Sequence, residues 1–275
     1  MMRFDNVPEP AGFQEAVRDN LNHILDDFKL SGTADFKGRE TWTKFKSHMA
    51  PATFGKCGYC EVNVVAVDRF KGDVEHYRPK GRVDRLVVEP DSTVKVQPLF
   101  TSGYHWLAYS WSNYILTCNP CNSAHKRNFF PLRAEPTAAP KEGDEATEDA
   151  LLLNPFGRRD PTKHLLFDHL GVVGPRKGSD YGDATIAVCG LSRSPLEKKR
   201  RQVANLMQRH LDVFGNPNAS ADAIDLALQT IADLGTRDKE HCGMVRGMFT
   251  ETTGLPWSFV EQAAPRPEPV FDSGT

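Results

Sequence analysis

The sequence predicts a mixed α/β protein with a zinc-stapled core, helices before it and a mostly helical region after it. Three observations predict this. Two CxxC turns, Cys57/Cys60 and Cys118/Cys121, have the spacing of metal ligands; short β-branched runs lie between them; and apolar stripes at helical spacing flank them on both sides.

The elements follow in chain order. Phe13, Val17, Leu21, Ile24 and Phe28 recur at helical spacing over about residues 12–29, and SGTADFKG then breaks the pattern. Trp42, Phe45 and Met49 give a shorter helix leading to Pro51 and the first cysteine turn. Residues 62–76 and 83–99 carry the runs VNVVAV, RLVV and STVKV, which read as strands. YHWLAYSW at 104–111 spaces its aromatics three to four apart, as a helix does, and YILTC at 114–118 reads as a strand entering the second cysteine turn. From Glu135 to Asp149 the chain is rich in Pro, Ala and acidic residues, so it lacks the apolar surface to offset ordering and reads as a mobile linker or surface loop. LLLNPFGRRDP is a short apolar run ending in a Pro turn, and ATIAVCGL at 184–191 reads as a strand. Leu196, Val203, Leu206, Met207, Leu211 and Phe214 trace one helical stripe; Ile224, Leu228, Ile231 and Leu234 trace another behind a Ser220 cap. The expected organisation is a helical segment at 1–50, the zinc-stapled core at 51–135, an acidic linker or loop at 136–149, a mostly helical region at 150–263 and a flexible tail at 264–275.

A chain of 275 residues needs no disulfide to complete a core, and four of its six cysteines are already claimed by the paired turns, which fits reduced thiolates. No apolar run has membrane-spanning length, and MMRFDNVPEPAGF has no export or import character, so no membrane association and a cytoplasmic location are expected. With a net charge of only -2, a case for nucleic acid rests on local clusters. One is His125, Lys126 and Arg127 beside the second cysteine turn. The other is Arg193, Lys198, Lys199, Arg200 and Arg201, for which a solvated helix face is the simpler account.

Two CxxC turns supply four thiolates, a closed tetrahedral site for structural Zn²⁺ with no open position for water. Chemistry must then come from other residues. Between the turns stands DVEHYRPK, with Glu75 and His76 at the end of an expected strand; directly after Cys121 stands Asn122. The staple ties that strand to a helix beginning near Pro120, which brings Asn122 within reach of Glu75. A carboxylate and an amide carbonyl are hard oxygen ligands, suited to Mg²⁺ or Mn²⁺.

These residues resemble the HNH endonucleases of ββα-metal fold with two zinc-binding CxxC turns. The nearer resemblance is to the PtuB-type nucleases of Septu anti-phage systems and their retron-associated relatives, carried by CGYCE, EHYRPK, WLAYSWSN, CNPCN, FPL, LLLNP and GLSRSPLEKKR over about residues 42–201. The resemblance implies His76 as the general base, Glu75 and Asn122 as ligands of a catalytic Mg²⁺ or Mn²⁺, Asn113 as the residue orienting the loop that supports His76, and Lys126 or Arg127 as phosphate contacts. Glu75 stands where Asp is commoner in the wider family. His125 is an additional ligand or phosphate contact, or a solvated helix histidine. Tyr104, His105, Trp106 and Trp111 are expected to build the core around the site rather than stack bases. The implied activity is hydrolysis of phosphodiester bonds, with DNA as the expected nucleic-acid substrate and a PtuA-like ATPase as partner. The alternatives are an RNase, for example one cleaving tRNA with the same site, and a non-catalytic zinc module that binds nucleic acid or a protein.

Overall fold

A computed structural model describes residues 1–66, 69–90, 94–136 and 138–271 of the chain. Val67 of the first β-branched run, Ser92 and Thr93 of the third, and the last four residues of the expected tail lie outside them. Among the described residues no helix is long and apolar enough to cross a membrane.

Helix α1 (Phe13–Ser31) is bracketed by Gly12 and Gly32, both left-handed, and buries Phe13, Val17 and Ile24. Its Phe13 ring meets Trp111 and Tyr114 edge-on at 5.2 and 6.0 Å, which holds the helix against the strand that Tyr114 begins. A 3₁₀ turn at Thr41–Phe45 leads into α2 (Lys46–Thr53), which closes on a left-handed Phe54 just before the first cysteine turn.

All sheets among the described residues are two-stranded. Strands β1 (Val65–Ala66) and β2 (Arg69–Phe70) form a short antiparallel pair. Strand β3 (Gly72–His76) skips the hairpin of β4 (Val83–Val88) and β5 (Val94–Phe100) to pair antiparallel with β6 (Tyr114–Cys118). In that register Glu75 lies opposite Ile115 and His76 opposite Tyr114. Strand β6 is buried along its whole length, which explains why YILTC is nearly continuous in apolar residues rather than alternating. It runs into a π-helix at Pro120–Lys126. Two strands alone are marginal in water, so this pair depends on α1, α2 and the cysteine turns that cover it. The aromatic stretch 104–111 forms single 3₁₀ turns at His105–Leu107 and Trp111–Asn113 instead of one helix.

The acidic stretch lies against the core: Glu148 accepts from Arg78 Nε at 3.1 Å and from the Tyr104 hydroxyl at 2.7 Å, and Glu145 accepts from the Trp106 indole at 3.3 Å. Beyond it, β7 (Leu165–Phe167) and β8 (Val173–Pro175) form a hairpin. The strand expected at 184–191 is overturned, because most of it belongs to helix α3 (Asp180–Val188). Local chemistry favours the helix: Ser179 caps it by accepting from Gly182 N–H, and Asp180 and Asp183 sit in its first turn, where carboxylates complement the dipole. Helices α4 (Ser194–Phe214), α5 (Ala221–Leu234), α6 (Cys242–Thr253) and α7 (Trp257–Ala263) complete the chain, with Ser220 capping α5 through Ala223 N–H as its sequence suggests. In the Pro-rich end, Ala264 is buried and Arg266 pairs with Asp233.

Candidate metal centre and adjoining cavity

The two cysteine turns meet. Cys57 and Cys60 precede β1, Cys118 ends β6, and Cys121 sits in the first turn of the π-helix; all four are buried and their sulfurs lie within 4.8 Å of one another. A tetrahedral zinc with Zn–S bonds of about 2.3 Å separates its sulfurs by about 3.8 Å. The Cys60–Cys118 separation of 3.6 Å falls close to that value, so these four residues could hold a metal such as zinc. Gly58 N–H donates to Leu116 O at 2.8 Å, which fastens the first turn to β6 before any metal is considered. An added Cβ at Gly58 would lie 2.7 Å from the Ile115 side chain, so the close approach needs glycine.

The π-helix that follows the cluster folds back over β3, so that Lys126 in its last turn reaches Glu75 and the His76 carbonyl. Glu75, His76, Asn122 and Arg127 line one open cavity of about 480 Å³, together with Lys80 and Asn128. His76 is 4% exposed, held edge-on between Trp42 at 4.8 Å and Tyr114 at 5.1 Å. Its Nε2 lies 2.9 Å from Ala108 O. A carbonyl can only accept, so Nε2 carries the proton and Nδ1 keeps its lone pair. Burial, reinforced by the Lys80 charge, holds the ring well below the usual imidazole range, which keeps it neutral.

Asn113 fixes the turn after His76. Its Oδ1 accepts from Arg78 N–H at 2.8 Å, and its Nδ2 donates to Arg78 O and to Leu107 O at 3.1 and 3.2 Å. The same side chain therefore braces the strand end carrying His76 and the loop carrying Ala108 O. Tyr104, His105 and Trp111 are buried in the core, with His105 stacked on Phe28 at 3.7 Å.

Lys126 differs most from its expected setting. Its side chain is fully buried; its ammonium is ion-paired with Glu75 Oε1 and donates to His76 O at 3.0 Å. A group so placed has no surface to offer a phosphate, whereas the neighbouring Arg127 is exposed on the cavity. Burial raises the Glu75 carboxyl while the Lys126 ammonium pulls it back. Glu75 Oε2 accepts no hydrogen bond from the described residues. Glu75 and Asn122 line the same open cavity. His125 lies against Gly190, where an added Cβ would come 2.3 Å from its Nδ1.

Over 150 residues, 54% of this chain, the sequence is 39% identical to Septu protein PtuB of Bacillus mycoides (strain KBAB4), 47% of whose length is covered. The chain is related to a Septu protein. It spans about half the length of that curated relative, and no family model matches it.

Three contributors escape a reading of motifs alone. Lys80 lines the cavity with its ammonium 4.7 Å over the Trp42 ring, and its place in EHYRPK is the signal that could have found it. Ala108 acts through its backbone carbonyl, which no residue type advertises. Glu61 of CGYCE is buried and accepts from Gly243 N–H at 3.2 Å, joining the first cysteine turn to α6.

Proposed function

We propose that this chain is a metal-dependent endonuclease of the HNH type, with a ββα-metal core formed by β3, β6 and the π-helix, acting in anti-phage defence with an ATPase partner. The observation that carries the reading is the buried His76, its Nε2 2.9 Å from Ala108 O, on the wall of the cavity that Glu75 and Asn122 also line. The likeness to Septu protein PtuB supports the defence role and the partner.

Hydrolysis of a phosphodiester needs a water made nucleophilic and relief of the charge that builds on phosphorus and on the leaving oxygen. His76 Nδ1 accepts the proton of the attacking water; the ring cannot rotate away because Nε2 is tethered and Trp42 and Tyr114 flank it. Glu75 Oε2 and the Asn122 carbonyl would hold a Mg²⁺ or Mn²⁺ ion, whose Lewis acidity supplies the charge relief. Lys126 fixes the Glu75 carboxylate from behind, and exposed Arg127 meets the phosphate backbone. DNA is the proposed substrate.

The test is cleavage of plasmid DNA and of tRNA in Mg²⁺, in Mn²⁺ and in chelator, by wild type and by Asn122→Ala. Plasmid cleavage that requires the cation, with Asn122→Ala needing roughly tenfold more of it, is expected on the scale of a lost metal contact. Cleavage in chelator at the full rate would defeat the catalytic-metal assignment.

A further inference from the structure

Of the five basic residues in the stretch from Arg193 to Arg201, two turn inward. Arg193 and Arg200 are seven residues apart, two helical turns, and so share one face at the start of α4. Lys198, Lys199 and Arg201 are exposed, as a solvated face requires. Arg200 is 1% exposed; its guanidinium donates to Leu191 O at 2.7 Å and lies 5.2 Å over the Phe167 ring. Arg193, at the N-terminal boundary of the helix, reaches the cysteine cluster: Nη1 lies 3.4 Å from Cys121 Sγ and Nη2 3.8 Å from Cys118 Sγ. Nη1 also donates to Gly190 O at 2.9 Å. The turn that carries these groups is pressed on the π-helix, since Gly190 has a left-handed backbone (φ +57) and no room for a side chain against His125.

Four thiolates around one divalent cation leave two negative charges uncompensated, and in a buried site such charge needs a partner. The planar fork of arginine is suited to donating to two acceptors at once, which a lysine cannot match. Resting on the zinc reading of the cysteine cluster, we propose that Arg193 is an outer-sphere partner of the metal centre: it donates to the Cys118 and Cys121 thiolates, so that metal retention depends on the docking of α4. The GLSRS segment then serves the metal centre, and the C-terminal helices are coupled to the cavity through it.

The experiment compares wild type, Arg193→Gln, Arg193→Lys and the exposed-site control Lys199→Gln. Zinc content is measured first, then the rate of zinc release to excess chelator, and then the thiolate-to-metal charge-transfer band of the Co²⁺-substituted proteins. Arg193→Gln is expected to release zinc about 10- to 100-fold faster than wild type, the usual effect of losing an outer-sphere partner, with Arg193→Lys between them and Lys199→Gln unchanged. The charge-transfer band moves to lower energy in Arg193→Gln, because loss of N–H donors leaves the sulfur lone pairs less stabilised. If Arg193→Gln does not fold, Arg193→Lys carries the same readouts. Zinc-loaded Arg193 variants that release at the wild-type rate, or an unshifted band, overturn the role of Arg193 while leaving the zinc site intact. Release from Lys199→Gln as fast as from Arg193→Gln would reduce the effect to net charge on α4 and also overturn it. A folded, zinc-free wild type overturns both readings.

Discussion

The ion pair between Lys126 and Glu75 sets the energetic character of the cavity floor. Both groups are buried, so removing one leaves the other charged without a partner or forces it to neutralise, a change that typically costs about 3–5 kcal/mol. Lys126→Met is therefore expected to lower the thermal midpoint strongly, and Glu75→Gln added to it should recover part of the loss, because neither charge then remains. A thermal melt of the two variants checks this; a Lys126→Met protein as stable as wild type would mean that the ammonium is free of Glu75. The sequence placed Lys126 beside the second cysteine turn but not its direction. In a π-helix the side chains do not follow the angular spacing of an α-helix, so a cation next to an exposed Arg127 gave no sign that it points inward.

At the scale of elements, the legible parts were those whose periodicity and caps agreed. The stripes of α1, α4 and α5 are long enough for the apolar period to dominate, and β6 was readable from its apolar run into a cysteine turn. α3 was not, because ATIAVCGL holds too few residues to separate a strand from a buried helix, and the deciding signal, Ser179 with acidic residues behind it, lies upstream of the run. Ser179→Ala is expected to cost about 1 kcal/mol through loss of the cap, measurable as a lower denaturation midpoint with an unchanged slope. No loss would show that tertiary packing alone holds α3. The β7–β8 hairpin was missed for a similar reason: three-residue strands carry almost no period. Pairing of β3 with β6 was not legible, because the strands are separated by the β4–β5 hairpin and neither run of residues names its partner.

For the whole molecule, the cysteine cluster and the turns around it join segments far apart in sequence. Lys56 Nζ donates to Lys239 O at 2.9 Å, and Asn63 N–H to Glu240 at 2.6 Å, so the first cysteine turn is seated on the loop before α6. The C-terminal helices thus pack on the core. A partner that gates cutting should be recovered as a stable complex when the chain is purified from its native gene neighbourhood, with cutting by the isolated chain slower than by the complex; a vigorous nuclease recovered alone would remove the gating role. The role of His76 is read out by single-turnover cleavage of plasmid DNA and tRNA in Mn²⁺, comparing zinc-replete wild type with zinc-replete His76→Ala, each with any co-purified partner. The ring is buried against Trp42 and Tyr114, so the substitution also costs stability, on the order of 1–3 kcal/mol, and equal zinc content is what makes the comparison fair. If His76 is the general base, wild type cuts and His76→Ala loses about 10² or more in rate. Equal cutting by the two proteins would contradict that role.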